Sequence, residues 1–226
     1  MASVGSRPSL SIVPLENVTS NSQTSPLLAL STSTVDRGRI EAAMHAAVVT
    51  PDDYLTEIAS HLIVAGGKRL RPVLSTVAAQ IGGDQASDDV VRGGVSCELV
   101  HLGSLYHDDV MDEADTRRGV ETVNAKWGNL QAILAGDFLL SRASEIAASL
   151  GTEVAGLLAR TIGWLCEGQI EELRFTYDVD RTEASYYASI HGKTASLYGT
   201  AARIGGIVAG HDEATVEALT DYGNAY

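Results

Sequence analysis

"ELVHLGSLYHDDVMDEADTRRG", Glu98 to Gly119, decides how this chain is read. Its first half is apolar or small and suits a buried helix. Its second half packs Asp108, Asp109, Asp112 and Asp115 against Arg117 and Arg118. On a helix Asp108 and Asp112 are one turn apart, with Cβ atoms roughly 5–6 Å from each other. At an effective dielectric near 20 two such charges repel by about 3 kcal/mol, and in open water by less than about 1 kcal/mol. A solvated helix end is therefore a cheap explanation. A hard divalent cation is the sharper one, because magnesium takes carboxylate, water and phosphate oxygens. Arg117 and Arg118 suit bidentate pairing with phosphate, or salt bridges to the neighbouring acids.

The flanking sequence is helical. Val35, Ile40, Met44 and Val48 recur at near-helical spacing. Pro51-Asp52-Asp53 opens a second helix through Leu55, Ile58, Leu62 and Ile63, which Gly66-Gly67 ends. Pro72 suits the first turn of a third helix, running to Ile81 and stopping at Gly82-Gly83. A long segment follows from about Ala86 to Ala114. Further helices are expected at about Asn129–Leu150, Thr152–Phe175, Glu183–Ala209 and Asp212–Tyr226. No stretch reads as alternating strands, so the expected fold is an all-α bundle of long helices.

The 226 residues suit one domain, or one domain plus a tail. With 45% hydrophobic and 20% charged residues the chain can build a sizeable core. A net charge of -13 argues against a nucleic-acid binder. Cys97 and Cys166 form no metal-binding spacing and are expected to be two reduced, buried thiols of a cytoplasmic protein. No apolar run reaches the roughly 18 residues of a membrane span. Met1 to Thr34 is Ser/Thr-rich and aperiodic, which predicts a disordered tail. "SPLLALST" within it lacks the flanks of a signal peptide, and scarce arginine disfavours a transit peptide.

A second cluster is "GGKRLRP", Gly66 to Pro72. Two glycines allow close backbone approach, and Lys68, Arg69 and Arg71 precede a helix start, where free N–H groups attract anions. It reads as a phosphate site, or else as a basic surface loop; the Walker spacing is absent. His101 lies two turns before Asp108 and should share its face, as a core residue or a ligand contact. Lys193-Thr194 and "GQIEEL", with Gln169, Glu171 and Glu172, are weaker signals whose default is an exposed surface. Together the clusters suggest two phosphorylated ligands, one bridged by metal and one held by cations alone.

"GGKRLRP", "HLGSLYHDDVMD", "RRG", Gly136-Asp137, "GQIEE" and "GKT", in this order, resemble the trans-isoprenyl (polyprenyl) diphosphate synthases over roughly residues 35–226. The resemblance implies an all-α isoprenoid-synthase bundle, usually homodimeric. It implies condensation of an allylic diphosphate with isopentenyl diphosphate, with Mg2+ as cofactor. Asp108 and Asp112 match magnesium ligands, and Asp109 belongs to the same motif. These three and Lys193 are the implied catalytic residues. Lys68, Arg71, His101 and Arg118 match isopentenyl diphosphate contacts. Arg117, Lys193, Thr194 and Gln169 match the allylic side. In such a reaction the metal and cations stabilise departing diphosphate, the allylic cation is attacked by the isopentenyl double bond, and a proton leaves.

The family's second aspartate-rich motif is absent. The expectation is therefore a fragment with little condensation activity and an uncovered apolar face. Alternatives are a non-catalytic partner of a complete synthase, or a terpene cyclase, which "GGKRLRP" disfavours. Gly103 and Ser104 would lie about 6–7.5 Å below the metal. Small residues there imply an open cavity and a medium or long product, which Gly103→Phe should shorten.

Overall fold

The computed structural model describes residues 25–29, 31–83 and 85–226. Most of the tail expected over Met1 to Thr34 lies outside the described residues. The described part of that span is a 3-10 turn at Pro26–Ala29 and the start of a helix at Ser31.

Ten α-helices carry the described chain. They are α1 (Ser31–Val48), α2 (Asp53–Val64), α3 (Leu70–Ala79), α4 (Asp88–Met111) and α5 (Val123–Trp127), followed by α6 (Asn129–Ser149), α7 (Thr152–Arg174), α8 (Glu183–Ile190), α9 (Ser196–Val208) and α10 (Glu213–Ala225). The all-α expectation holds. The starts are chemically marked. Asp52 accepts from the Tyr54 and Leu55 amides, and Ser87 from the Val90 amide, each satisfying an orphan N–H at a helix start.

Helix α4 is the axis of the bundle. It packs against α1, α3, α6 and α9. A helix apolar on all sides has to be buried on all sides, and Val95, Cys97, Leu99, Val100, Leu102 and Tyr106 are all at most 1% exposed. Tyr106 ties α4 to α2 by donating its hydroxyl to the Ile58 carbonyl at 2.8 Å.

Four expectations need correction. A two-stranded hairpin, β1 (Thr116–Arg117) with β2 (Val120–Glu121), follows α4. Arg118 and Gly119 join its strands with φ of 53° and 80°. Positive φ at both turn residues is the conformation that two-residue hairpins favour. Strands of two residues are too short to alternate visibly. The expected Glu183–Ala209 helix is broken by a π-helical turn at His191–Ala195. Cys166 is exposed, and only Cys97 is buried, its thiol pushed up to about 12 by burial. Finally, Gly103 does not open onto a cavity. A Cβ there would meet the Gly136 carbonyl at 3.0 Å and Leu140 at 3.3 Å, so small residues let α4 and α6 approach closely. Gly103→Phe would split that contact.

Candidate active site

The carboxylate end of α4 comes first. Asp108 is half-buried in its last turn, and Asp112 caps it, its amide donating to the Asp108 carbonyl at 2.8 Å. The C-terminal end of a helix carries partial negative charge and favours cations, yet no basic residue lies in this turn. Burial raises the Asp108 carboxyl above its ordinary value, Lys193 pulls it down, and Asp112 raises it again. This is an arrangement that gains from a cation.

Asp109 behaves differently. It is turned inward, 1% exposed, and accepts from Arg117 Nε at 2.5 Å. Its second oxygen is buried without a partner. The structure thus separates Asp109 from the open pair Asp108 and Asp112. Among the described residues no group of three or more His, Cys, Asp or Glu side chains is set to hold a metal. Two hard carboxylates nevertheless fit magnesium, which commonly takes one or two from protein and the rest from water and phosphate.

Opposite Asp108 stands the π-helical turn. Lys193 Nζ donates to Glu172 Oε2 at 2.7 Å, and both groups lie close enough to act on Asp108 electrostatically. The turn is held by contact between two helix backbones. A Cβ on Gly168 would fall 2.6 Å from the Lys193 nitrogen, and one on Gly192 3.2 Å from the Gly168 Cα. A π-turn adds one residue to a helix and re-aims those that follow it; here it carries Lys193 and Thr194. Gln169 lies in α7 beside Gly168, with its Oε1 buried and unpartnered.

The second station is a pocket of about 380 Å³. Gly66-Gly67, Lys68, Arg71, His101 and Arg118 line it, as the sequence suggested, together with Arg69, Glu98 and Tyr198. The Arg71 guanidinium sits 4.6 Å over the Tyr198 ring. The hairpin divides its two arginines: Arg117 turns to Asp109, while Arg118 donates to the Leu62 and Gly66 carbonyls at the pocket. Burial first, then Arg71, Arg118, Arg117 and Arg69, hold the His101 imidazole well below its ordinary value. It is neutral at pH 7, so its ring offers a hydrogen-bond donor rather than a charge.

Arg69, the third cation of "GGKRLRP", is structural. It takes a left-handed backbone, φ 52°, and its Nε and Nη2 donate to Glu41 at 2.8 and 3.2 Å and to the Ile63 carbonyl at 2.8 Å. Sequence reasoning missed Glu98 and Tyr198 as site neighbours, and gave Glu172 an exposed surface as its default. Glu98 precedes His101 by three residues, so helical spacing alone could have put it on the same face. Tyr198 gave no local signal. A larger groove of about 950 Å³ runs along the π-turn, lined by Gly168, Gly192, His191, Trp164, Tyr187 and Arg203, and none of the expected ligand contacts lines it.

The polyprenyl synthetase family profile matches residues 52–226. The chain is 43% identical over 186 residues to a nonaprenyl diphosphate synthase of Mycobacterium tuberculosis, covering 82% of this chain and 55% of that one. It is 39% identical over 190 residues to a heptaprenyl diphosphate synthase component 2 of Geobacillus stearothermophilus, covering 84% and 59%. Its fold matches a Caulobacter crescentus polyprenyl synthase, solved with calcium and isoprenyl diphosphate, at a TM-score of 0.82 and 34% identity, covering 88% and 60%. The chain spans less than two thirds of the length of each of these relatives.

Proposed function

The chain belongs to the polyprenyl synthetase family, and we propose that its site serves the transfer of an allylic group from its diphosphate to isopentenyl diphosphate. The observation that carries this is the pair of stations on α4. Carboxylates Asp108 and Asp112 stand at its end, beside Lys193, and a cation pocket with His101 opens two turns back. Seven residues at 1.5 Å each separate them by about 10 Å along the helix, enough for two diphosphates to lie apart with their carbon chains between.

Each residue then has a task. Lys68, Arg71 and Arg118 hold the isopentenyl diphosphate by charge, and neutral His101 donates a hydrogen bond to it. Lys193 neutralises the departing allylic diphosphate, and Thr194 and Gln169 supply polar contacts near it. Arg117 holds Asp109 inward, which shapes the end of α4. Asp108 and Asp112 would hold Mg2+, which when bound supplies positive charge to the leaving diphosphate. No side-chain nucleophile is required.

A domain over residues 35–226, a homodimer and a cytoplasmic location complete the reading. An apolar strip on α6, with Leu130, Ile133 and Leu134 at 74%, 41% and 66% exposure, supports pairing with a second copy. Among the described residues no helix is long and apolar enough to cross a membrane. A relative described as component 2 of its synthase favours one further reading, a subunit working with a partner chain.

Calorimetry tests the assignment. Isopentenyl diphosphate should bind without metal and lose affinity in Arg71→Ala. An unreactive allylic thiolodiphosphate should bind only with Mg2+ and lose affinity in Asp108→Asn. Absence of both interactions would sink the reading.

A further inference from the structure

Glu98 is a carboxylate in a pocket built for anions. It lies on α4 with its side chain 3% exposed, in the same cavity as Lys68, Arg71, His101 and Arg118. Its Oε2 is buried and has no hydrogen-bond partner; neither has Arg69 Nη1 or Arg71 Nε. The nearest of these contacts, Arg69 Nη1 to Glu98 Oε1, is 3.6 Å, an ion pair too long for a hydrogen bond.

Holding Arg69 does not require Glu98. Arg69 is already fixed by Glu41 and the Ile63 carbonyl through its other nitrogens. Arg118 is fixed by the Leu62 and Gly66 carbonyls. Of the Arg69 side-chain nitrogens, Nη1 is the one left for the pocket. A Cβ on Gly67 would meet it at 3.0 Å and Arg118 Nη1 at 2.9 Å, so the loop backbone covers two guanidiniums at once. Such a cluster repels itself when empty, and a buried negative charge offsets that repulsion. The same charge opposes any diphosphate that enters.

We propose that Glu98 is the internal counter-anion of the cation pocket, stabilising the guanidinium cluster when it is empty and lowering its affinity for diphosphate when it is filled. It is a positioning residue that acts through Arg69, Arg118 and Arg71 and sets how readily a diphosphate leaves. The inference rests on the diphosphate reading of this pocket.

The test uses inorganic pyrophosphate as the probe, by calorimetry and thermal shift without metal. Glu98→Gln keeps size and removes charge. It should lower the melting temperature of the free chain yet bind pyrophosphate about five- to tenfold more tightly, the gain shrinking as salt is raised. Glu98→Asp should stay within about twofold of wild type. If Glu98→Gln is too unstable for calorimetry, the thermal shift produced by saturating pyrophosphate should exceed the wild-type shift. Weaker or unchanged binding by Glu98→Gln, with wild type binding normally, overturns the role of Glu98 alone. No binding by wild type overturns the diphosphate reading and this inference with it.

Discussion

Lys193 Nζ lies 2.7 Å from Glu172 Oε2, joining the π-helical turn to α7 beside the carboxylate end of α4. The ammonium is paired with Glu172 within electrostatic reach of Asp108, and on the proposed reading an allylic diphosphate oxygen takes the place of the carboxylate. Charge-assisted hydrogen bonds contribute about 1.5–3 kcal/mol. Lys193→Ala should therefore weaken Mg2+-dependent binding of an allylic thiolodiphosphate by at least about tenfold, and leave isopentenyl diphosphate within about twofold. Equal losses for both ligands would mean that the two stations are not separate.

Arg117 covers a carboxylate that is otherwise shut off from water. Removing one member of a buried pair leaves an unpaired charge, at a cost of about 3–5 kcal/mol. Arg117 is itself 28% exposed, so solvent screening brings the expectation to about 2–3 kcal/mol for Arg117→Ala. The double variant Arg117→Ala with Asp109→Asn should recover part of that loss. Urea denaturation of both variants checks this, and a double variant less stable than Arg117→Ala would contradict it.

His101 should make the fold acid-sensitive. Its folded value is depressed below 6.5, so below about pH 6.5 the unfolded chain binds a proton that the folded chain resists. Stability contributed by the neutral imidazole is complete above that pH and is lost as pH falls toward the depressed folded value. Asp108 and Asp109, whose carboxyls burial raises above 3.8, act with the opposite sign further into acid. Melting curves at pH 8 and pH 5.5 should show a smaller drop for His101→Gln than for wild type. Identical drops would exclude His101 as the source.

Gly103 belongs to a helix contact. Gly103→Ala puts a methyl group 3.0 Å from the Gly136 carbonyl, and overpacking of this kind costs about 1–3 kcal/mol. Ser104, half-buried one residue on, donates only to the His101 carbonyl within its own helix. Enlarging Ser104 should be tolerated better than enlarging Gly103. Comparing melting temperatures of Gly103→Ala and Ser104→Val checks the order.

Much of the helical frame follows from local pattern, because caps, glycine stops and apolar spacing act within a few residues. Asp52 and Ser87 begin their helices as short-range chemistry dictates, and Gly66 ends α2 with φ 86°. The hairpin at Arg118-Gly119 escaped notice because two-residue strands carry no periodicity. The π-turn escaped it because the turn packs against Gly168, more than twenty residues away in sequence from Gly192. Cys166 was expected inside because cysteine is usually buried, and only packing shows that its face of α7 is bare.

The sequence by itself determined most of the helices, the family and the groups on which the proposed reading draws: Asp108, Asp112, Lys68, Arg71, Arg118, Lys193 and the neutral His101. These depend on residue type and spacing, which a chain carries in any conformation. Tertiary structure decided how the charges are shared out. It paired Asp109 with Arg117, fixed Arg69 behind the pocket through Glu41, and put Glu98 among the cations and Glu172 against Lys193. Charge pairing acts through space and is strongest where water is excluded, so it depends on which helices meet rather than on which residues are neighbours in sequence.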